Sequence, residues 1–318
     1  MPAEHEDRSA PARRLLVVDS DGGVDDAVAL WWVLAQPDVE LVSLVATGGI
    51  TGLDAAAANL ARVLHAAGRP AVPVARGTGD AAGRSGRAHG SDGLGGHARR
   101  WSTGGIVPVA EPGADLLARL TAERPGRIEL VTIGPLSTLA AALRDDPGIA
   151  GRLRSLTVMG GALVGRGGRL SAGETNVRLD PAGAAEVLAA RWATAAPPSL
   201  VGLDVTLATP LGPAEVAASA RGRSAAARFV ADPLAHYTRS YAGTATVPPG
   251  GVPCHDLLAV MVALRPEVVT EAVAVRPSLD GRPGGTVWRV ARRADGARLR
   301  AGFRALVGVP DDDRPGGG

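Results

Sequence analysis

The stretch Leu15–Leu34, LLVVDSDGGVDDAVALWWVL, decides how the rest of the chain is read. Leu15–Val18 is a short apolar run and fits a strand covered on both faces. An apolar run of nine residues, Ala27–Ala35, falls in a helix expected over Asp25–Leu34. It fits burial in a core, because a membrane span needs roughly 20 such residues. Between strand and helix stand four carboxylates within eight residues, Asp19, Asp21, Asp25 and Asp26, with Gly22 and Gly23 among them. A strand, an acidic glycine turn and a helix, in that order, open a β-α unit.

The same alternation continues outward. Strands are expected at Val39–Val45, Val72–Ala75, Ile128–Ile133, Leu156–Met159, Ser199–Val205 and Val287–Val290. Helices are expected at Asp54–Ala67, Ala114–Ala122, Ser137–Leu143, Pro181–Ala190, Ser224–Tyr241 and Asp256–Leu264. The first of these starts at an N-cap aspartate and closes at Gly68. Residues 76–106 are glycine-rich and aperiodic, which reads as a long functional excursion. Residues 1–13 and 310–318 read as disordered tails around one domain, 14–309. The expected fold is α/β: a single open, mostly parallel sheet with helices on both faces and a Rossmann-like core. In such sheets ligands sit beyond the carboxyl ends of the strands, which is where the acidic turn falls.

Composition narrows the function. The 318 residues are 46% hydrophobic, enough for a large core. Every basic residue is arginine, scattered along the chain, with five tryptophans and four other aromatics, and the net charge is +2. A nucleic-acid surface needs a basic stripe with stacking rings, so that class is set aside. The mixed-charge start lacks a signal-type apolar stretch, and the one cysteine, Cys254, has no internal partner. Together they point to a reducing, cytoplasmic location.

Four clustered carboxylates repel one another unless a positive charge offsets them, and a hard divalent cation with oxygen ligands does so. The plainer alternative is helix capping, since acids favour the first helical turn. That accounts for one or two of them, and Asp19 and Asp21 precede the helix. An EF-hand is excluded because its twelfth position, counted from Asp19, is Leu30.

DSDGGVDDAVAL at Asp19–Leu30 resembles the N-terminal signature of the inosine-uridine preferring nucleoside hydrolase family, DxDPGxDDAxA, with Gly22 where proline is common. The resemblance continues in order through HGSDGLGG (His89–Gly96), TIGPLSTLA (Thr132–Ala140), MGGA (Met159–Ala162), ETNVRLDP (Glu174–Pro181), GLDVT (Gly202–Thr206) and CHDLLAV (Cys254–Val260). It implies calcium-dependent hydrolysis of the N-glycosidic bond of ribonucleosides, through a metal-bound water and an oxocarbenium-like transition state. It also implies a homodimer or homotetramer.

Residue by residue, the resemblance puts Asp21, Asp26, Asp256 and the carbonyl of Ile133 on calcium, with Asp21 also the base for water. Asp25, Glu174 and Asn176 would bind ribose, Met159 would pack on the sugar and His89 would lie near the base. Asp19 would orient the turn from behind. His255 would protonate the leaving base; its plainer reading is a structural histidine beside a metal ligand. Glu174 and Asn176 likewise fit a polar turn before a helix. His236, Tyr237 and Tyr241 fit either a lid over the base or a core stripe at helical spacing. Three positions depart from the pattern: Gly49 and Gly168 stand where asparagines are usual, and Thr175 where phenylalanine is. Two rivals remain. A non-catalytic ribose- or nucleoside-binding relative would fit the lost asparagines. A haloacid-dehalogenase-like phosphatase would fit LLVVDSDGG, but lacks the lysine its chemistry uses.

Overall fold

The computed structural model describes residues 13–79, 88–165, 167–282 and 284–309. Of the two expected tails only Arg13 lies within them. The strands are β1 (Arg14–Ser20), β2 (Val39–Ala46), β3 (Val74–Arg76), β4 (Val109–Pro112), β5 (Ile128–Thr132), β6 (Ser155–Met159), β7 (Ser199–Val201), β8 (Val269–Val275) and β9 (Trp288–Ala294). The helices are α1 (Val24–Leu34), α2 (Leu53–Ala66), α3 (Gly113–Glu123), α4 (Ser137–Asp145), α5 (Ile149–Arg152) and α6 (Thr175–Leu179). They continue with α7 (Pro181–Ala189), α8 (Leu203–Thr206), α9 (Pro213–Arg221), α10 (Ala225–Ser240), α11 (His255–Leu264) and α12 (Gly296–Val307).

One sheet runs in the order β4-β3-β2-β1-β5-β6-β7-β9-β8. Its pairs are parallel except β8 with β9, so the expected mostly parallel sheet is the one found. The period-two pleat divides the apolar strand residues between two cores. Leu16, Val18, Leu44, Val131 and Val201 face one, with α1, α10 and α11. Val17, Val45, Leu130, Leu156 and Leu200 face the other, with α3, α4 and α7. The α1 helix packs against α2, α10, α11 and α12 as well as β2, which explains an apolar run with no polar face.

From β1 the chain first builds β2, β3 and β4 on one side and then returns to β5 on the other. A crevice opens where the strand order reverses, and the acidic turn after Ser20 lies at its mouth opposite the Ile133–Pro135 turn.

Several boundaries differ from the sequence reading. The third strand is shifted to Val74–Arg76, and the last parallel strand extends to Ala294. The expected strand Ser199–Val205 stops at Val201. Gly202 packs against the Gly161 carbonyl, Leu203 N–H donates to that carbonyl at 2.8 Å, and LDVT coils into α8. Within the 76–106 excursion the described residues include the end of β3 and a short 3-10 turn at Ala98–Arg100. β4, β8, α5, α6, α9 and α12 were not among the expected elements. Of these α12 was legible, because its buried Leu299, Phe303, Leu306 and Val307 recur at helical spacing with the arginines off that stripe.

One anchor at the back of the sheet bears on the site. Arg14 donates to Glu129 at 2.8 and 2.5 Å, and to the Leu264 and Ala263 carbonyls at 2.6 and 2.8 Å. It thereby joins β1 and β5 to the last carbonyls of α11, whose other end carries His255 and Asp256. Replacing Arg14 by Met strips a nearly buried carboxylate of its main partner, leaving Arg154 at 3.6 Å and the Ser155 hydroxyl at 3.4 Å as weak compensation. The expected loss is about 2–3 kcal/mol in denaturant unfolding, largely recovered in the double variant Arg14→Met, Glu129→Leu. Equal losses in the single and double variants would contradict the anchor.

Candidate active site

The turn after β1 is shaped by Gly22, at φ 72, where a Cβ would lie 2.8 Å from the Ala56 Cα. Proline cannot adopt that φ, so this departure changes the backbone path as well as the side chain. Asn59 Nδ2 holds the turn by donating to the Gly22 carbonyl at 2.8 Å, and donates to the Asp92 carbonyl at the same distance. Asp92 in turn accepts from the N–H groups of Leu94, Gly96 and Ala98, folding the HGSDGLGG loop against the site.

The four carboxylates of the turn have different partners. Asp26 accepts from Ser20 Oγ at 2.5 Å and from Gly23 N–H at 2.9 Å, so capping of α1 is part of its work. Asp21 Oδ2 accepts from Ile50 N–H at 2.8 Å. Asp19, fully buried behind them, accepts from the Thr47 hydroxyl, and its Oδ2 has no partner among the described residues. Asp25 lies 3.4 Å from the Tyr237 hydroxyl and 3.8 Å from His89 Nδ1. Oxygens of Asp25, Asp26 and Asp256 come within 4.8 Å of one another, a grouping that could hold a metal ion. Asp21 stands beside this trio on the same cavity wall.

The electrostatics are those of an acidic site without its counter-charge. Burial, then the charge of Asp26, pushes Asp25 up to about 7. Burial also raises Asp19 to about 7, against the lowering effect of the Thr47 hydroxyl. Asp21 and Asp256 are pushed well above the usual carboxylate range by burial and by their acidic neighbours. No arginine lines the cavity among the described residues. Its two histidines are held neutral, His89 near 3 and His255 near 4, first of all by burial. An all-oxygen donor set with no protein cation fits a hard divalent ion.

The cavity measures about 340 Å³, within the range of small-molecule sites. It gathers Asp21, Asp25, Asp26, His89, Ile133, Met159, Glu174, Thr175, Asn176, Tyr237, Tyr241, His255 and Asp256 from seven separate segments. Asn176 commits its NH₂ to the carbonyls of Ile133 at 3.1 Å and Met159 at 3.3 Å, leaving Oδ1 for a ligand. Glu174 is the N-cap of α6 and accepts from Asn176, Val177 and Gly161 N–H groups at 2.8–3.0 Å. A carboxylate has about four acceptor positions, so one remains. His89 Nδ1 accepts from Val24 N–H at 3.2 Å at the start of α1, which puts its proton on Nε2.

On the opposite wall His255 Nδ1 meets the Thr206 hydroxyl at 2.6 Å and Nε2 meets Tyr241 at 3.0 Å. Tyr241 then contacts Tyr237 at 3.3 Å, and Tyr237 reaches Asp25. A continuous line of polar hydrogens thus joins Thr206 to the carboxylates.

Two of the residues singled out from sequence sit elsewhere. His236 packs on Gly95, outside the cavity lining. Gly168 lies against the Arg276 carbonyl at φ 82 and donates no cavity surface, so its missing amide leaves the pocket unchanged. Gly49 is adjacent: a Cβ there would fall 2.1 Å from Asp21 Oδ2. Sequence reasoning passed over Thr206, Asp92, Asn59 and the Ile50 N–H. Thr206 and Asp92 lie in quoted blocks and were findable, whereas a backbone donor leaves no mark in the side-chain pattern.

Comparison with known proteins now has a site to attach to. The chain is 31% identical over 212 residues to a probable uridine nucleosidase 2 of Oryza sativa subsp. japonica, covering 65% of this chain and 61% of that protein. It is 29% identical over 259 residues to the pyrimidine-specific ribonucleoside hydrolase RihA of Klebsiella pneumoniae (strain 342), covering 80% and 81%. Among solved structures, a purine-preferring ribonucleoside hydrolase from Gardnerella vaginalis matches at a TM-score of 0.80 and 27% identity over 92% of this chain and 98% of the other. A plant nucleoside hydrolase shares the fold at 0.81 and 23% over 93% and 99%. The family model described as inosine-uridine preferring nucleoside hydrolase matches residues 16–305, nearly the whole described chain, and the protein therefore belongs to that family of enzymes.

Proposed function

We propose that this nucleoside hydrolase cleaves the N-glycosidic bond of ribonucleosides with calcium held by Asp26, Asp256, Asp21 and the Ile133 carbonyl. The observation that carries the reading is the convergence of four buried carboxylates, Asp21, Asp25, Asp26 and Asp256, on one cavity whose described lining holds no protein cation. Calcium, when bound, makes water a stronger acid. Asp21, with Oδ2 tied to Ile50 N–H, offers Oδ1 to take the proton from that water. Asp25 and the remaining acceptor of Glu174 receive ribose hydroxyls, with Asn176 Oδ1 beside them and Met159 against the ring. Positive charge developing on the sugar faces these carboxylates, which favours the transition state over the neutral ground state.

The departing base takes its proton from the His255–Tyr241 pair, and the proton released by the attacking water replaces it by way of Asp25 and Tyr237, so the protons balance over one turnover. A histidine held near 4 is neutral at pH 7, so His255 relays a proton and does not store one. His89 Nε2 is the donor facing the base. Gly168 lies off the cavity and the space beside Gly49 is filled by the Asp21 carboxylate and the Pro135 ring, which removes the support for a non-catalytic reading. A single buried thiol, Cys254, fits a reducing cytoplasmic setting, and no described helix is long and apolar enough to cross a membrane. Assembly as a homodimer or homotetramer belongs to the same reading, and sedimentation checks it.

Purified protein should release free base and ribose from inosine or uridine, and a strong chelator should abolish this until calcium is restored. Failure to turn over any member of a purine and pyrimidine nucleoside panel, with calcium bound, would refute the enzyme reading. Asp21→Asn should lower kcat by roughly 10³-fold. His255→Ala should slow purine nucleosides by about 10²-fold and spare substrates with good leaving groups; equal losses for both classes would exclude the relay.

Calcium should also be visible in stability. A buried carboxyl whose folded value is raised stabilises the fold below the ordinary range near 4, and that contribution is lost as pH rises through about 7. Chelated protein should therefore melt lower at pH 8 than at pH 5. Calcium should raise Tm by roughly 5–10 °C at pH 8 and by less at pH 5. An equal or larger gain at pH 5 would contradict the charge-neutralising role.

A further inference from the structure

Gly49 stands where the family pattern has an asparagine, and the space a side chain would take here is filled by the Asp21 carboxylate and the Pro135 ring. Gly49 does not have a positive φ, so the glycine is present for room and not for backbone conformation. A Cβ would lie 2.1 Å from Asp21 Oδ2, 2.6 Å from Asp21 Cβ and 2.7 Å from Pro135 Cδ. None of these atoms is the free end of a flexible chain: Asp21 Oδ2 is tied to Ile50 N–H at 2.8 Å, and Pro135 is a ring. The same turn grips Asp21 a second time, because the Thr51 hydroxyl donates to its carbonyl at 2.9 Å. Gly49 N–H in turn donates to the Thr51 carbonyl at 3.0 Å, closing the turn on itself.

We infer that Gly49-Ile50-Thr51 is a backbone clamp that positions Asp21, with Gly49 as the residue whose lack of a side chain lets the clamp close. It takes the place of a side-chain amide. It fixes one carboxylate oxygen in a hydrogen bond to main chain and leaves Oδ1 alone to face the cavity. That division explains why the tight carboxylate trio is Asp25, Asp26 and Asp256, with Asp21 beside it. A one-oxygen Asp21 is aimed as a base and as a single ligand, and it cannot span a cation with both oxygens. Gly49, Ile50 and Thr51 are positioning residues: they act through Asp21 and need not touch substrate.

The inference rests on the function proposed for Asp21, and the test separates the two. Gly49→Ala and Gly49→Asn are compared with wild type for Tm, calcium affinity by titration calorimetry, and kcat and KM on the best nucleoside. Gly52→Ser is the control, since a Cβ at Gly52 meets nothing within 4 Å and serine caps α2 well. Both Gly49 variants should lose roughly 10- to 100-fold in kcat with KM changed by no more than about twofold, and should bind calcium about tenfold more weakly. Gly52→Ser should match wild type.

Thr51→Val keeps the side-chain shape and removes the donor, and covers the case in which the Gly49 variants do not fold. It should lose about 3- to 10-fold in kcat, with Thr51→Ser restoring it. Wild-type kcat and calcium affinity in Gly49→Ala, or in Thr51→Val where the former fails to fold, would overturn the clamp. So would an equal loss in Gly52→Ser. If wild type cleaves no nucleoside the functional reading fails, yet the calcium affinities still decide the clamp.

Discussion

Four carboxylates buried within reach of one another cannot all be ionised in a folded protein unless something positive sits among them, and the architecture around the crevice is arranged about that repulsion. Ordinary sheet physics brings them together. The turn after β1 delivers Asp21, with Asp19 behind it in the strand, the start of α1 delivers Asp25 and Asp26, and α11 delivers Asp256 from more than two hundred residues away. The reversal of strand order beside β1 leaves the opening into which they point. Among the described residues nothing in the lining supplies a counter-charge, because burial keeps both histidines neutral and no arginine reaches the cavity. The fold thus holds an electrostatic deficit that a divalent cation removes.

Holding such groups apart from one another's protons takes fixed donors, and these come chiefly from the main chain. Gly23 N–H serves Asp26, Ile50 N–H serves Asp21, and three backbone N–H groups serve Glu174. Backbone donors have no rotamers to lose, so they orient a carboxylate at lower entropic cost than a flexible side chain does. The glycines around the site follow from this. Gly22 bends the chain to a φ closed to proline, and Gly49 lets main chain approach Asp21.

Much of this was legible in the sequence, and the limits have physical causes. β1, α1, β2, β5 and β6 were readable because burial on both faces of a parallel sheet writes continuous apolar runs. That Asp21, Asp25, Asp26, Glu174, Asn176, His255 and Asp256 meet in one cavity was legible because each stands in a polar block just after a strand or at a helix start. The split of Ser199–Val205 at Gly202 was not, since a tertiary contact with the Gly161 carbonyl decides it. The antiparallel β8 was missed because an edge strand exposed along much of its length alternates weakly. Gly168 looked like a pocket position by sequence order, but its segment pairs with Ser278 and turns away from the cavity.

His255 shows how the sequence can place a residue in the cavity while the fold decides its protonation state. A histidine beside a metal-ligating aspartate suggests, on sequence, an imidazolium ready to give its proton. Its place at the first turn of α11, where the helix end is electropositive, and its full burial both disfavour that charge. The Thr206 and Tyr241 hydroxyls on its two nitrogens offer the alternative of a neutral ring that receives on one side as it donates on the other. A stored proton in this cavity would also have partly neutralised the carboxylates and competed with the cation for them. On the function proposed above, a neutral imidazole would leave the positive charge to a bound cation and to the sugar as its bond to the base breaks, with the carboxylates placed to meet both.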